Sequence, residues 1–239
     1  MKLDILVFAS HPDDAELSCS GTIALHVKMG KRVGVVDLTK GELGTRGSPE
    51  TRKKEASRSS AILGLSLREN LNMPDGFFDL SKKNIISIAA KVREFQPAIV
   101  LANAVHDRHP DHGRAAKLVE EACFYSGLKK VTIPGSNGKP LEIWRPQALY
   151  HYIQSNYIDP DLIVDVSGFW ETKIESIRAF ESQFFDPESQ EPETYISKPG
   201  FLEFLESRSK MWGHMIGTSH GEGFTVNRKI GVKNLFDLI

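Results

Sequence analysis

Short apolar runs of strand length alternate with amphipathic stretches of helix length along this chain. That alternation restricts the fold to βαβ units around a mainly parallel sheet, an α/β architecture with helices on both faces. The first run, Leu3–Ala9, is apolar without a polar face, as a strand covered on both sides must be. Further strands are predicted at Arg32–Leu38, Leu67–Leu71, Ala98–Ala102, Ala148–Ile153 and Leu162–Val166. Helices are predicted at Gly21–Gly30, Asn84–Phe95, Gly113–Phe124, Phe169–Phe184 and Gly200–Ile216. Another starts with Ser48 as N-cap and Pro49 at the first helical position, and Gly64 closes it. Ile133–Pro140 reads as a hairpin or flap, Asp186–Glu193 as an exposed loop and Gly217–Phe224 as a small-residue loop.

A chain of 239 residues can bury a full core, and one domain over residues 1–239 is expected. With 30 basic and 31 acidic side chains, no net charge draws it to nucleic acid or to an anionic membrane surface. No apolar run approaches the roughly 18 residues of a membrane span, and the first residues lack the apolar region of a signal peptide. Cys19 and Cys123 cannot form a disulfide framework and read as buried filler, which suits a cytoplasmic protein.

Two clusters carry the chemistry. His11-Pro12-Asp13-Asp14 follows the first strand, and His109-Pro110-Asp111-His112 follows the strand at Ala98–Ala102. In an open α/β sheet, ligands collect beyond the carboxyl ends of the strands, so the two clusters can face one another. A catalytic zinc takes three protein ligands from His and carboxylate and keeps one position for water. His11 and Asp14 in one turn and His112 from the other loop supply that set. Asp13 is then left as general base, activating the water. His109, with Asp111 behind it, is expected to stabilise an oxyanion as imidazolium or to protonate the departing amine. Either Asp13 or His109 can deliver that last proton. Fe²⁺ shares these ligands with Zn²⁺, so a two-His-one-carboxylate oxygenase and a non-catalytic sugar-binding module are the rival readings. His26, His106, His151 and His214 read as solvated or core residues.

The glycine-rich stretch Lys40–Gly47 lacks the spacing of a dinucleotide fingerprint. Glu42, Thr45 and Arg46 there could hydrogen-bond a polyhydroxylated ligand, and Arg52 could clamp a carboxylate or phosphate.

The paired His11-Pro12-Asp13-Asp14 and His109-Pro110-Asp111-His112 motifs resemble those of the LmbE-like or PIG-L-like zinc N-acetylglucosamine deacetylases. The resemblance covers most of the chain. Gly41–Gly47 and the run His11–Leu17 look like the branch that deacetylates N-acetylglucosaminyl-malate in bacillithiol synthesis. The resemblance implies a Rossmann-like sheet, assembly into trimers or hexamers, and a small glucosamine conjugate as substrate, with malate, inositol or a sugar attached. It matches His11, Asp14 and His112 to the zinc ligands, Asp13 to the base, His109 with Asp111 to a supporting charge pair, and Arg52 to a substrate contact. In the C-terminal loop, His220 stands where relatives often carry Tyr, while Glu222 and Phe224 are retained and imply that this loop lines the ligand site.

Overall fold

The structure, a computed structural model, describes residues 1–136, 138–184 and 186–237; Asn137, within the expected flap, lies outside them. In chain order the elements are β1 Ile5–Ala9, α1 Asp14–Lys28, β2 Val33–Asp37, α2 Pro49–Leu63, β3 Leu67–Asn70, α3 Lys82–Phe95, β4 Ile99–Ala102 and α4 Pro110–Ser126. There follow β5 Ala148–Tyr152, β6 Leu162–Asp165, α5 Trp170–Arg178, α6 Phe201–Met215 and β7 Gly221–Val226. Among the described residues the strands form one seven-stranded sheet in the order β3-β2-β1-β4-β5-β7-β6. The first five are parallel neighbours, and β7 runs antiparallel to both β5 and β6.

β1 is the central strand, and its pleat divides its side chains between two cores. Leu6 and Phe8 pack with Ile88 and Val92 of α3 and Leu118 and Val119 of α4. Ile5, Val7 and Ala9 pack on the other face with Ala15, Cys19 and Ile23 of α1. Burial on both faces accounts for the unbroken apolar run. A third cluster joins Ala56 of α2 to Trp170, Ile174, Ile177 and Phe180 around α5 and Leu205 of α6. Ser48 caps α2 by accepting from Thr51 N at 3.1 Å, and Gly64 closes it at φ 66°, as the sequence predicts.

Helix α1 starts at Asp14, well before the expected Gly21, and three other boundaries differ from the sequence reading, each for a local reason. Helix α4 begins at Pro110, because His109 serves as its N-cap and accepts from Asp111 N at 3.2 Å through Nδ1. Asp111 and His112 therefore sit in the first turn of a helix. The helix predicted over Phe169–Phe184 ends at Arg178, and Phe180 and Phe184 enter the core from the turns beyond it. The predicted loop Gly217–Phe224 is in large part β7, wedged between β5 and β6.

Helix α1 gives Glu222 a role other than the expected one. The helix kinks at Cys19, where φ is −140° and ψ 17°, and the break exposes the N–H groups of its second segment. Glu222 of β7 accepts from Gly21 N at 3.0 Å and Thr22 N at 2.7 Å, and its Oε1 pairs with Lys173 Nζ at 2.6 Å. Gly21 permits this approach, since a Cβ there would stand 2.9 Å from the Val166 Cβ and 3.0 Å from Glu222 Oε1. Glu222, 2% exposed, is thus a buried cap joining α1, α5 and β7, and it does not line a ligand site as expected. Breaking a buried pair leaves an unpaired charge, at a cost of about 3–5 kcal/mol. Glu222→Ala is therefore expected to lower the unfolding free energy in urea by about that amount, and an unchanged midpoint would contradict the capping role.

Candidate metal centre

The helical connections through α1 and α2 build the sheet to one side of β1, while α3 carries the chain to β4 on the other side. The order reverses between β1 and β4, so a crevice opens beyond their carboxyl ends. The loop from Ser10 to Asp14 and the loop from Asn103 to His112 meet there. They are tied by Ser10 N donating to Asn103 Oδ1 at 2.9 Å and by Ser10 Oγ donating to the Asp111 carbonyl at 3.2 Å.

Asp14 lies between two imidazoles. Its Oδ1 is 3.1 Å from His112 Nε2, and its Oδ2 is 3.5 Å from His11 Nδ1. The outer nitrogen of each ring is held by carboxylate. His112 Nδ1 is 2.6 Å from Asp107 Oδ2, and Asp107 is fixed in turn by Asn156 N at 2.6 Å. His11 Nε2 is 3.0 Å from Asp75 Oδ1 and 3.3 Å from Asp111 Oδ2. Leu43 N holds Asp75, while Gly76 N and Arg114 hold Asp111. A carboxylate behind an imidazole fixes its tautomer and leaves the inner nitrogen as a lone-pair donor. The donor set therefore suits one divalent cation: His11 Nδ1, Asp14 and His112 Nε2.

Distance alone, among the described residues, groups His11 with His109 and His112, one nitrogen from each lying within 4.8 Å of the others, and His11 with Asp75 and Asp111, and neither group includes Asp14. Hydrogen bonding sets His109 apart. Its Nδ1 accepts from Asp111 N, so in the neutral ring the proton sits on Nε2, which can donate but cannot ligate. The expected His109–Asp111 charge pair is not formed, because the Asp111 carboxylate faces His11, Gly76 N and Arg114. Burial, helped by the charges of His11 and His112, lowers the His109 pKa, so the site disfavours the imidazolium expected there.

The same electrostatics show what the carboxylates demand. Against the opposing effect of burial, Asp111, Asp14 and Asp75 raise the His11 pKa, and Asp14 and Asp107 raise that of His112 to about 9. Burial would raise the Asp14 carboxyl, yet His112 and His11 hold it well below the usual carboxylate range. Positive charge at this point is thus strongly favoured, and a cation can supply it in place of protons.

Asp13 stands beside this set. Its backbone has φ 127°, a conformation L residues rarely adopt, and rare backbone geometry of this kind concentrates at functional sites. Burial pushes its carboxyl up to about 7 against the attraction of Arg52. Arg52 Nη2 donates to Asp13 Oδ2 at 2.9 Å and to the Pro12 carbonyl at 2.5 Å. Arg52 lines the cleft, and its polar contacts orient Asp13. Gly41, at φ 66°, makes room for it, since a Cβ there would lie 1.8 Å from Arg52 Nη1.

Other expected ligand contacts point elsewhere. Arg46 is buried and donates to the Phe184 carbonyl at 3.0 Å and to Ser189 Oγ at 2.8 Å, with Glu191 3.4 Å from its Nε. It ties the glycine-rich loop to the exposed loop after α5 and is absent from the cleft wall. Glu42 accepts from Lys40 N and Asp75 N, and of the expected loop residues Thr45 does reach the cleft. His220 stacks on Trp170 at 4.7 Å, away from the centre. His151 is a core residue, as expected, with Nδ1 on the Asn103 carbonyl.

The cleft above the centre has a volume of about 480 Å³, within the range of small-molecule sites. Phe77, Tyr195, Phe201 and Phe204 form aromatic walls, with Arg108 and Arg208 among them. Phe77 is 79% exposed at the mouth. Asp75, Asp107, Asn103, Gln154 and Tyr195 escaped the sequence reading. Asp107 alone carried a signal, as an acid within the loop that ends in the second cluster.

Comparison with known proteins places the chain in a family. The sequence pattern of the PIG-L family, described as GlcNAc-PI de-N-acetylase, matches residues 6–123, which span both clusters. The chain is 28% identical over 235 residues to the diacetylchitobiose deacetylase of Thermococcus kodakarensis, covering 92% of this chain and 81% of that protein. It is 26% identical to the 4-oxalmesaconate hydratase of Pseudomonas putida, over 74% of this chain and 73% of that one. The crystal structure of a conserved protein from Thermus thermophilus superposes with a TM-score of 0.87 at 33% identity, covering 98% of each chain. The mainly parallel sheet, the paired clusters and these likenesses agree, and the chain belongs to the PIG-L (LmbE-like) family.

Proposed function

We propose that this protein is a metal-dependent N-deacetylase that hydrolyses the acetamide of an N-acetylglucosamine conjugate. The observation that carries the reading is the set His11, Asp14 and His112, with the outer ring nitrogens held by carboxylates and Asp13 beside it. When bound, a divalent cation, zinc by the family likeness, acidifies a water and polarises a carbonyl. Asp13 takes a proton from the attacking water. A carboxyl poised near neutrality can also return that proton to the departing nitrogen, so Asp13 fits both transfers. His109, neutral and protonated at Nε2, donates to the carbonyl oxygen as negative charge develops on it. The carbon–nitrogen bond breaks, giving acetate and a free amine.

The diacetylchitobiose deacetylase among the relatives supports a chitooligosaccharide-type substrate, and the aromatic walls offer flat apolar faces for sugar rings. N-acetylglucosaminyl-malate, suggested by the sequence resemblance, fits the same centre. The hydratase relative favours a second reading, in which the activated water adds to a carbon–carbon double bond. Acetate release separates the two. Incubation with N,N′-diacetylchitobiose, N-acetylglucosaminyl-malate and N-acetylglucosaminyl-inositol should yield acetate and amine from at least one, and none from any would remove the deacetylase reading.

Three variants test the assignments within the centre. Asp13→Asn should keep its metal by elemental analysis while kcat falls by about 10²- to 10⁴-fold, whereas His112→Ala should lose the metal. Wild-type turnover in either would contradict these roles. Asp107→Ala should weaken metal affinity by about 10- to 100-fold in chelator competition, through loss of the support behind His112; unchanged affinity would show that this support is dispensable.

A further inference from the structure

Behind the carboxylate ligand stands a pair of amide side chains to which the chemistry above gives no part. Gln154 lies just beyond β5 and is 6% exposed, yet it reaches the wall of the cleft. Its Oε1 accepts from Asn103 Nδ2 at 3.0 Å and from Ala104 N at 3.1 Å. These two donors decide which way round the amide lies. Nε2 must then face the other way, where it is 3.1 Å from Asp14 Oδ1 and 3.3 Å from His112 Nε2.

Asn103 completes the arrangement. Its Oδ1 accepts from Ser10 N, which fixes its own amide, and its Nδ2 also reaches Asp14 Oδ2 at 3.0 Å. Oδ2 receives a further bond from His11 N at 3.0 Å. Both oxygens of Asp14 are therefore held by neutral donors from three directions. Arg208 of α6 donates to the Gln154 carbonyl, so a separate helix fixes the position of this residue. A carboxylate held by neutral N–H groups keeps its charge for a cation while losing its freedom to rotate.

We propose that Gln154 is a positioning residue of the metal centre, which with Asn103 clamps the Asp14 carboxylate in the orientation that ligates the cation. The inference rests on the metal-centre reading above and is independent of the substrate. Satisfying buried amide and backbone groups alone would make Gln154 a packing element, and the two roles have different signatures.

The test uses the full chain, with Zn²⁺ affinity measured by chelator competition, the visible absorption spectrum of the Co²⁺-substituted protein, and the melting temperature without metal. Gln154→Met keeps the length and removes the amide. It should weaken Zn²⁺ binding by about 10- to 100-fold and alter the Co²⁺ bands. Gln154→Glu keeps an acceptor for Asn103 and Ala104 but faces Asp14 with a charged oxygen in place of a donor, so it should also shift the Co²⁺ bands. Wild-type affinity and bands in folded Gln154→Met, or wild-type bands in folded Gln154→Glu, would overturn the proposal, even with a lowered melting temperature. If the unsubstituted protein binds neither ion, the metal-centre reading itself fails.

Discussion

Parallel pairing of β1 with β4 is the constraint on which the site depends. The register Ile5↔Ile99, Leu6↔Val100 and Val7↔Leu101 brings the ends of the two strands side by side. Ser10 and Asn103, the first residues past those ends, then bond directly. The candidate centre is arranged from that junction. One loop turns into α1 at Asp14, the other into α4 at Pro110, and each cluster is held by the first turn of a helix packed on the sheet. Side chains placed on rigid elements keep their geometry better than side chains on free loops. Slippage of one strand by a single residue would turn its inward side chains to the opposite face and separate the clusters.

The second constraint is charge. Asp14, Asp75, Asp107 and Asp111 crowd two imidazoles in a poorly solvated place, with Arg114 and Arg52 at the margins. Burying so many carboxylates is unfavourable unless each is paired or hydrogen-bonded. Here every one is. Backbone amides of Leu43, Gly76 and Asn156 fix the outer acids, the amides of Asn103 and Gln154 fix the inner one, and a cation held between the rings would supply the positive charge that the set favours. Structure and chemistry coincide at this point, because the interactions that make the buried charges tolerable also choose which ring nitrogens are free to ligate.

Most of the strands, and the residues that carry the clusters, were legible in the sequence, since apolar runs and His/Asp motifs are local patterns. What was illegible depends on distant partners. Glu222 and Arg46 stand beside small residues and read as ligand contacts, yet each has partners far along the chain, Thr22 and Lys173 for one and Phe184 and Ser189 for the other. The expected pairing of Asp111 with His109 failed for a related reason. Adjacency in sequence suggested it, but the first turn of α4 points the Asp111 carboxylate at His11. Asp75, Asn103 and Gln154 are single polar residues at strand ends or in loops, and no periodicity marks them. β7 was hidden because its glycines suppress the strand pattern, although Gly21 and Gly221 are what allow α1, α6 and β7 to approach so closely.

The central claim is that two loops far apart in sequence hold one cation between His11, Asp14 and His112. Anomalous diffraction at the zinc absorption edge, from crystals grown with Zn²⁺, tests it most directly. The account predicts one strong peak per chain, in ligand contact with His11 Nδ1, Asp14 and His112 Nε2. A peak held by His109 in place of Asp14, one on the far side of His11 between Asp75 and Asp111, or none in the crevice would contradict it.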